Sequence, residues 1–284
     1  MSIKVLCAHV IFNEYAFILS QRFGCEVERD FKPQAGDLYL VLGAHEVAPT
    51  LYLTQKNANN SFGYIIYNSE QINSSHWRNK YYINLCRDNP TYHYSNYLAQ
   101  EIKEKYKIVP YSFFFFDFLS FDKSALDIKE QYDIVFLGAR SPEREAIHQQ
   151  LVSAYPDKKI LFDFDYSYKN PQELTSLLSG TKVVLNIPFY KDSPLETHRI
   201  NKAISCGCKV VSMISKDLDA TEFYKDYIYF TKDMIGCLGD EKFLETPKKT
   251  YEDLTKELAP MMTTHNIYTA KQIHNKLLDK VKKI

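Results

Sequence analysis

Short apolar runs recur along this chain, each followed by a segment with helical spacing, and the whole pattern starts over once. DLYLVLG (Asp37–Gly43), GYIIY (Gly63–Tyr67), YDIVFL (Tyr132–Leu137) and KVVLNI (Lys182–Ile187) are apolar on consecutive positions rather than alternate ones. A strand of that kind has to be covered on both faces, and the crossover helices of a parallel sheet supply the cover. The alternation therefore predicts an α/β chain built on parallel sheets.

In the first block we expect strands at Ile3–His9, Cys25–Arg29, Asp37–Gly43 and Gly63–Tyr67, and helices at Asn13–Arg22, Pro49–Asn60 and Asn96–Tyr106, with Lys107–Tyr111 extended. Phe113–Phe116 is too short to span a membrane and reads as a hydrophobic bridge. The polar stretch Ser120–Gln131 marks a boundary. Beyond it come strand Tyr132–Leu137, helix Pro142–Tyr155, strand Lys159–Phe164 and helix Pro171–Ser179. Strand Lys182–Ile187, helix Thr197–Cys206 and strands Lys209–Ile214 and Tyr227–Phe230 follow. Ser141 is placed to cap its helix, with Pro142 in the first helical position and Glu143 at the positive end. Residues 1–120 and 132–250 thus read as two Rossmann-like domains, with parallel sheets facing across a cleft. The tail 251–284 reads as two helices, separated near Pro260, that pack back toward the first domain.

Lysine plus arginine and aspartate plus glutamate number 35 each, so no overall basic field draws the chain to nucleic acid. The six cysteines lack zinc-site spacing and read as reduced thiols of a cytoplasmic protein. The start of the chain lacks a signal-peptide pattern, and no window approaches the roughly 18 apolar residues of a membrane span. Tyrosines 64, 67, 81, 82, 92 and 94 sit in apolar runs, where they either pack a core or line a carbohydrate cleft.

One loop stands out for chemistry. Strand KVVLNIPFY ends in the polar segment Lys191–Glu196, and a helix opens with Thr197, His198 and Arg199. A helix start of that kind suits an anion, through free N–H groups, the positive dipole end and the arginine. In open α/β sheets, ligands lie beyond the carboxyl ends of the strands, where this loop falls. The same sequence also suits an ordinary βαβ unit with a solvated helix start.

The segments YDIVFLGARSPEREAIHQQL, KVVLNIPFY, HRINKAISCGCKVVS and YIYFTKDM together resemble the C-terminal half of GT-B glycosyltransferases. The likeness is to the short bacterial and viral proteins related to spore-maturation glycosyltransferases. YIIYNSEQ, followed by a tryptophan and YHYS, resembles their acceptor-side half. The resemblance implies that the second domain binds a nucleotide-sugar donor, a UDP-sugar by default, while the first holds a glycan or other hydroxyl acceptor. Gly138 would make the tight turn beside the donor diphosphate, with Ser141 and Arg144 on the next helix start. Arg199 would pair with diphosphate oxygens, flanked by Thr197 and His198. Many relatives carry a ribose-binding glutamate where this chain has Lys202, which cannot accept those hydrogen bonds and faces phosphate or solvent instead. The glutamate of retaining relatives, eight positions earlier, is Pro194 here, with Glu196 two residues on. Both departures favour an inverting reaction.

Inversion requires a general base on the acceptor side and positive charge on the leaving diphosphate. His9, His45, Glu46 and Glu70 follow strand ends of the first block, and Glu70, His45 and Glu46 are the preferred candidates. Gln71, Trp77 and His93 are candidates for the acceptor wall. Asp163-Phe164-Asp165 matches a metal-binding DxD, but at a strand end it reads better as a turn, and no metal or other cofactor is expected. The competing reading is a nucleotide-sugar-binding module without turnover, suggested by Lys202. A dinucleotide enzyme is disfavoured because no GxGxxG loop follows a strand.

Overall fold

The computed structural model describes residues 3–112, 126, 128, 131–165, 167, 168 and 170–258. The chain divides into two compact units, Met1–Phe114 with Leu258–Ile284, and Phe115–Glu257.

In the first unit, strands β1 (Ile3–Cys7), β2 (Glu26–Glu28), β3 (Leu38–Leu42), β4 (Gly63–Asn68), β5 (Thr91–His93) and β6 (Pro110–Ser112) form one sheet in the order β2-β1-β3-β4-β5-β6. Every pairing is parallel. Helices α1 (Asn13–Phe23), α2 (Ala48–Asn57), α3 (Lys80–Asp88) and α4 (Asn96–Tyr106) make the crossovers. Val5, Val41 and Ile66 are wholly buried, as strands covered on both faces require. Tyr64, Tyr67, Tyr82, Tyr92 and Tyr94 are buried too, so the tyrosines of the apolar runs pack the core; only Tyr81 is half-buried.

Helix α3 and strand β5 have no counterpart among the expected elements. α3 is rich in aromatic and β-branched residues that favour strands, yet Asn79 caps it and Tyr82, Leu85 and Cys86 bury one face. Tertiary burial outweighs local propensity there.

The second unit holds β7 (Tyr132–Leu137), β8 (Ile160–Asp163), β9 (Thr181–Asn186), β10 (Lys209–Met213) and β11 (Tyr229–Thr231), ordered β11-β10-β9-β7-β8 and again wholly parallel. Its helices are α5 (Pro142–Ala154), α6 (Pro171–Ser179), α7 (Thr197–Ser205), α8 (Leu218–Tyr224), α9 (Met234–Gly239) and α10 (Glu241–Glu245). Ile134, Phe136, Leu151, Leu185 and Val211 lie in one core cluster. Ser141 caps α5 over Pro142 and Glu143 as expected.

Both sheets reverse direction of growth once, between β1 and β3 in the first unit and between β7 and β9 in the second. The loops that leave neighbouring strands at such a point run to opposite faces and open a crevice at the carboxyl edge. Residues 251–258 are helical. The expected second tail helix, the Phe113–Phe116 bridge and most of the polar boundary lie outside the described residues. Among the described residues, no helix is long and apolar enough to cross a membrane.

Candidate functional site

In the second unit, the loops after β7 and β9 meet at the switch point. Gly138 follows β7, and its N–H donates to the Asp163 carbonyl at the end of β8 (3.1 Å). A Cβ at this glycine would lie 2.9 Å from Arg199 Nη2, 3.0 Å from Phe136 Cζ and 3.2 Å from Arg144 Nη1. Only a residue without a side chain lets both guanidinium groups approach the turn this closely.

Arg199 donates from Nε to the Leu137 carbonyl (3.0 Å) and from Nη1 to Asn186 Oδ1 (2.7 Å), with Glu196 Oε2 also on Nη1. Its Nη2 has no hydrogen-bond partner among the described residues. Arg144 is 2% exposed and fully engaged. Its Nη1 donates to the Ala139 carbonyl (2.8 Å), Nε and Nη2 to the Ile187 carbonyl (3.1 and 2.6 Å), and Nη2 to Glu196 Oε1 (3.3 Å). The Glu196 carboxylate thus bridges the two arginines, as a buried cation requires.

The expected cluster of Gly138, Arg144 and Arg199 is therefore assembled, with one correction. Arg144 braces the loops after β7 and β9 and is not an open diphosphate ligand. The Ser141 hydroxyl accepts from the Arg144 N–H (3.3 Å) as a helix cap. Thr197 is wholly buried, and its Oγ1 has no partner among the described residues. Burial, with the Arg199 charge beside it, pushes His198 down to about 4, so the ring is neutral. Lys202 corrects the sequence reading as well: it is buried, and Nζ donates to Thr175 Oγ1 of α6 (2.9 Å) rather than reaching solvent. In the DxD, both Asp163 oxygens are taken by its own turn, through the Asp165 N–H (3.0 Å) and the Ser167 N–H (2.7 Å).

In the first unit, a second cluster forms at the carboxyl edge. Gly43, at φ +76, turns the chain after β3 and leads into His45 and Glu46. Glu70 follows β4. His45 Nε2 lies 3.4 Å from Glu46 Oε1 and 3.3 Å from Glu70 Oε1. Three sequence candidates thus share one site, and His76, which the sequence reading missed, completes it. The His76 ring centroid is 4.7 Å from that of His45, and its Nε2 is 4.0 Å from Glu70 Oε2. Ser74 Oγ donates to Glu70 Oε2 (2.6 Å) and accepts from the His76 N–H (3.3 Å), tying the two residues together. Burial lowers the His45 pKa, opposed by the Glu70 charge. His9, the fourth candidate, accepts from the Ile11 N–H at Nδ1 (3.3 Å).

Asn68 anchors this cluster from beneath. It is wholly buried at the end of β4. Its Oδ1 accepts from Tyr82 Oη (2.5 Å) and the Glu70 N–H (3.0 Å), and its Nδ2 donates to the Glu70 carbonyl (2.9 Å) and meets His93 Nδ1 (2.9 Å). His93 and Trp77 are therefore buried supports, not an exposed acceptor wall: Trp77 is 2% exposed and stacks on Tyr106 at 5.0 Å. Gln71 is half-buried in the loop after β4. Asn68 and Asn186 carry a signal that was readable in advance, a polar residue closing an otherwise apolar buried strand.

No family model and no curated protein matches this chain. Among solved structures, Anabaena Alr3699/HepE in complex with UDP is similar over 100% of both chains, at 11% identity and a TM-score of 0.51. The same protein in complex with UDP and glucose gives 10% identity and 0.53, again over 100% of both chains. Sucrose-phosphate synthase from Thermosynechococcus elongatus matches 95% of this chain and 72% of its own at 12% identity, but its TM-score of 0.43 adds nothing to the assignment. The finer resemblance to the spore-maturation group finds no support in these matches. At such identities the likeness is one of fold, and this chain resembles HepE in its α/β architecture of parallel sheets.

Proposed function

We propose that this protein is a GT-B-type glycosyltransferase that moves a sugar from a nucleoside diphosphate donor, a UDP-sugar by default, to a hydroxyl of a glycan or other acceptor. The fold likeness to HepE, a protein seen with UDP and with UDP and glucose, supports the donor class. The observation that carries the reading is the packing of Arg199 on Gly138 at the switch point. It leaves a cationic N–H without a protein partner among the described residues where ligands of parallel sheets bind.

In this reading the second unit holds the donor and the first supplies the base. Glu70, with His45 beside it, takes the proton as the acceptor oxygen attacks the anomeric carbon. The bond from that carbon to the diphosphate breaks on the opposite face, and its electron pair leaves with the nucleotide. Arg199 and the start of α7 meet the developing charge, so inversion proceeds without a metal on the donor. The six cysteines are free, which fits a cytoplasmic setting.

A thermal-shift screen of nucleoside diphosphates and their sugars, with and without EDTA, tests the reading. A selective shift, insensitive to EDTA and lost in Arg199→Ala, is expected; no shift from any nucleotide overturns it. Lys202, buried where relatives carry a glutamate, favours the second reading, a binding module without turnover. Slow donor hydrolysis without acceptor marks the enzyme, and its absence marks the module.

A further inference from the structure

From the geometry of the first unit we infer that His45, Glu46 and His76, with Glu70 between the two rings, form a binding site for a divalent transition-metal ion of the zinc type.

Ligand atoms of His45, Glu46 and His76 all lie within 4.8 Å of one another. His45 Nε2 is 3.4 Å from a Glu46 oxygen and 3.3 Å from a Glu70 oxygen. Ligands about 2.0–2.1 Å from a tetrahedral zinc ion stand about 3.3–3.4 Å apart, so these two edges already have the right length. The His76 side chain is 36% exposed and has room to turn the remaining distance inward. Two imidazoles and two carboxylates suit zinc, cobalt or nickel better than magnesium or calcium, which prefer all-oxygen sites.

Charge points the same way. Among the described residues, no lysine or arginine forms an ion pair with Glu46 or Glu70; their ion-pair partners are histidines. His45 Nδ1 is buried without a hydrogen-bond partner among the described residues, which leaves Nε2 as the nitrogen turned to the carboxylates. A cation at the centre of the cluster compensates the two acidic side chains. The backbone is held for the purpose: the Glu46 N–H bonds the Gly43 carbonyl (3.1 Å), and Ser74 fixes both Glu70 and His76.

The metal site stands on this geometry alone; its consequence for catalysis rests on the transfer reading above. A metal on His45 Nε2 and Glu70 occupies the atoms that would take the acceptor proton, so metal binding and transfer exclude each other.

The test uses tag-free, full-length protein stripped with EDTA and titrated with cobalt(II) by visible absorption and with zinc by calorimetry. One equivalent of cobalt should give the strong visible bands of a low-coordinate site, and zinc should displace it. His76→Ala and Glu46→Gln, both at partly exposed positions, should each weaken zinc at least about tenfold while thermal unfolding stays near wild type. Absence of saturable binding overturns the inference. So do thiolate charge-transfer bands in the near ultraviolet, which place the ion on a cysteine, and so does unchanged affinity in both variants. Metal binding with no sugar transfer by the stripped, metal-free protein leaves the site standing and removes the transfer reading. Transfer that persists at saturating zinc removes only the assignment of Glu70 and His45 as the base.

Discussion

Gly138→Ala probes the donor-side arrangement with one methyl group. The added carbon would sit 2.9 Å from Arg199 Nη2 and 3.0 Å from Phe136 Cζ, the closer contact about 0.5 Å inside ordinary van der Waals distance. Neither neighbour yields easily. Phe136 is wholly buried, and Arg199 is tied to Leu137, Asn186 and Glu196. Overpacking of this kind costs about 1–3 kcal/mol of stability. The Nη2 group moves first, and it is the atom assigned to the diphosphate. Losing a charge-assisted hydrogen bond worth about 1.5–3 kcal/mol weakens donor binding by about 10- to 150-fold. Calorimetric titration with UDP, beside thermal unfolding of both proteins, reads the two effects separately. A folded variant with wild-type UDP affinity refutes the assignment of Gly138 and Arg199 to the donor.

Three further outcomes are expected. Glu70→Gln should leave UDP affinity intact and cut transfer by about 10²–10⁴ in kcat; activity within a few-fold of wild type moves the base to His45 or Glu46. Asn68→Ala strips Tyr82 and His93 of a buried partner, about 1–3 kcal/mol for each unmet group, and frees Glu70. Unfolding should come earlier and kcat should fall without a change in UDP affinity; an unaltered kcat denies Asn68 its positioning role. The third concerns pH. Burial pushes His93 down to about 3, whereas the unfolded chain titrates near 6.5. The native state therefore stays neutral while the unfolded state takes up a proton. Stability is intact above pH 6.5 and falls by about 1.4 kcal/mol per pH unit from there down toward pH 3. His93→Gln should flatten that slope in denaturant titrations, and an unchanged slope refutes the burial argument.

Much of the architecture is legible in the sequence because buried parallel strands announce themselves. DLYLVLG, GYIIY, YDIVFL and KVVLNI each became a strand within a residue or two of the expected bounds, and Ser141-Pro142-Glu143 capped its helix. Local chemistry decides those features. It does not decide α3, whose residues favour strands and whose helix exists because Tyr82, Leu85 and Cys86 have a core to enter.

Candidate residues were likewise nameable one at a time, since arginines at helix starts and carboxylates after strand ends are local signals. Their partnerships were not. The pairing of β3 with β4 brings His45, Glu46, Glu70 and His76 together in one unit, and the reversal between β7 and β9 gathers Gly138, Arg144 and Arg199 in the other. Arg144 looked like a ligand and is a brace; Lys202 looked solvent-facing or phosphate-facing and is buried on Thr175. Trp77 and His93 looked like a binding wall and are core. Residue type and spacing determine which side chains stand near a strand's end. Strand order and burial determine which of them meet, because contacts between residues far apart in sequence arise only when the sheet closes its register.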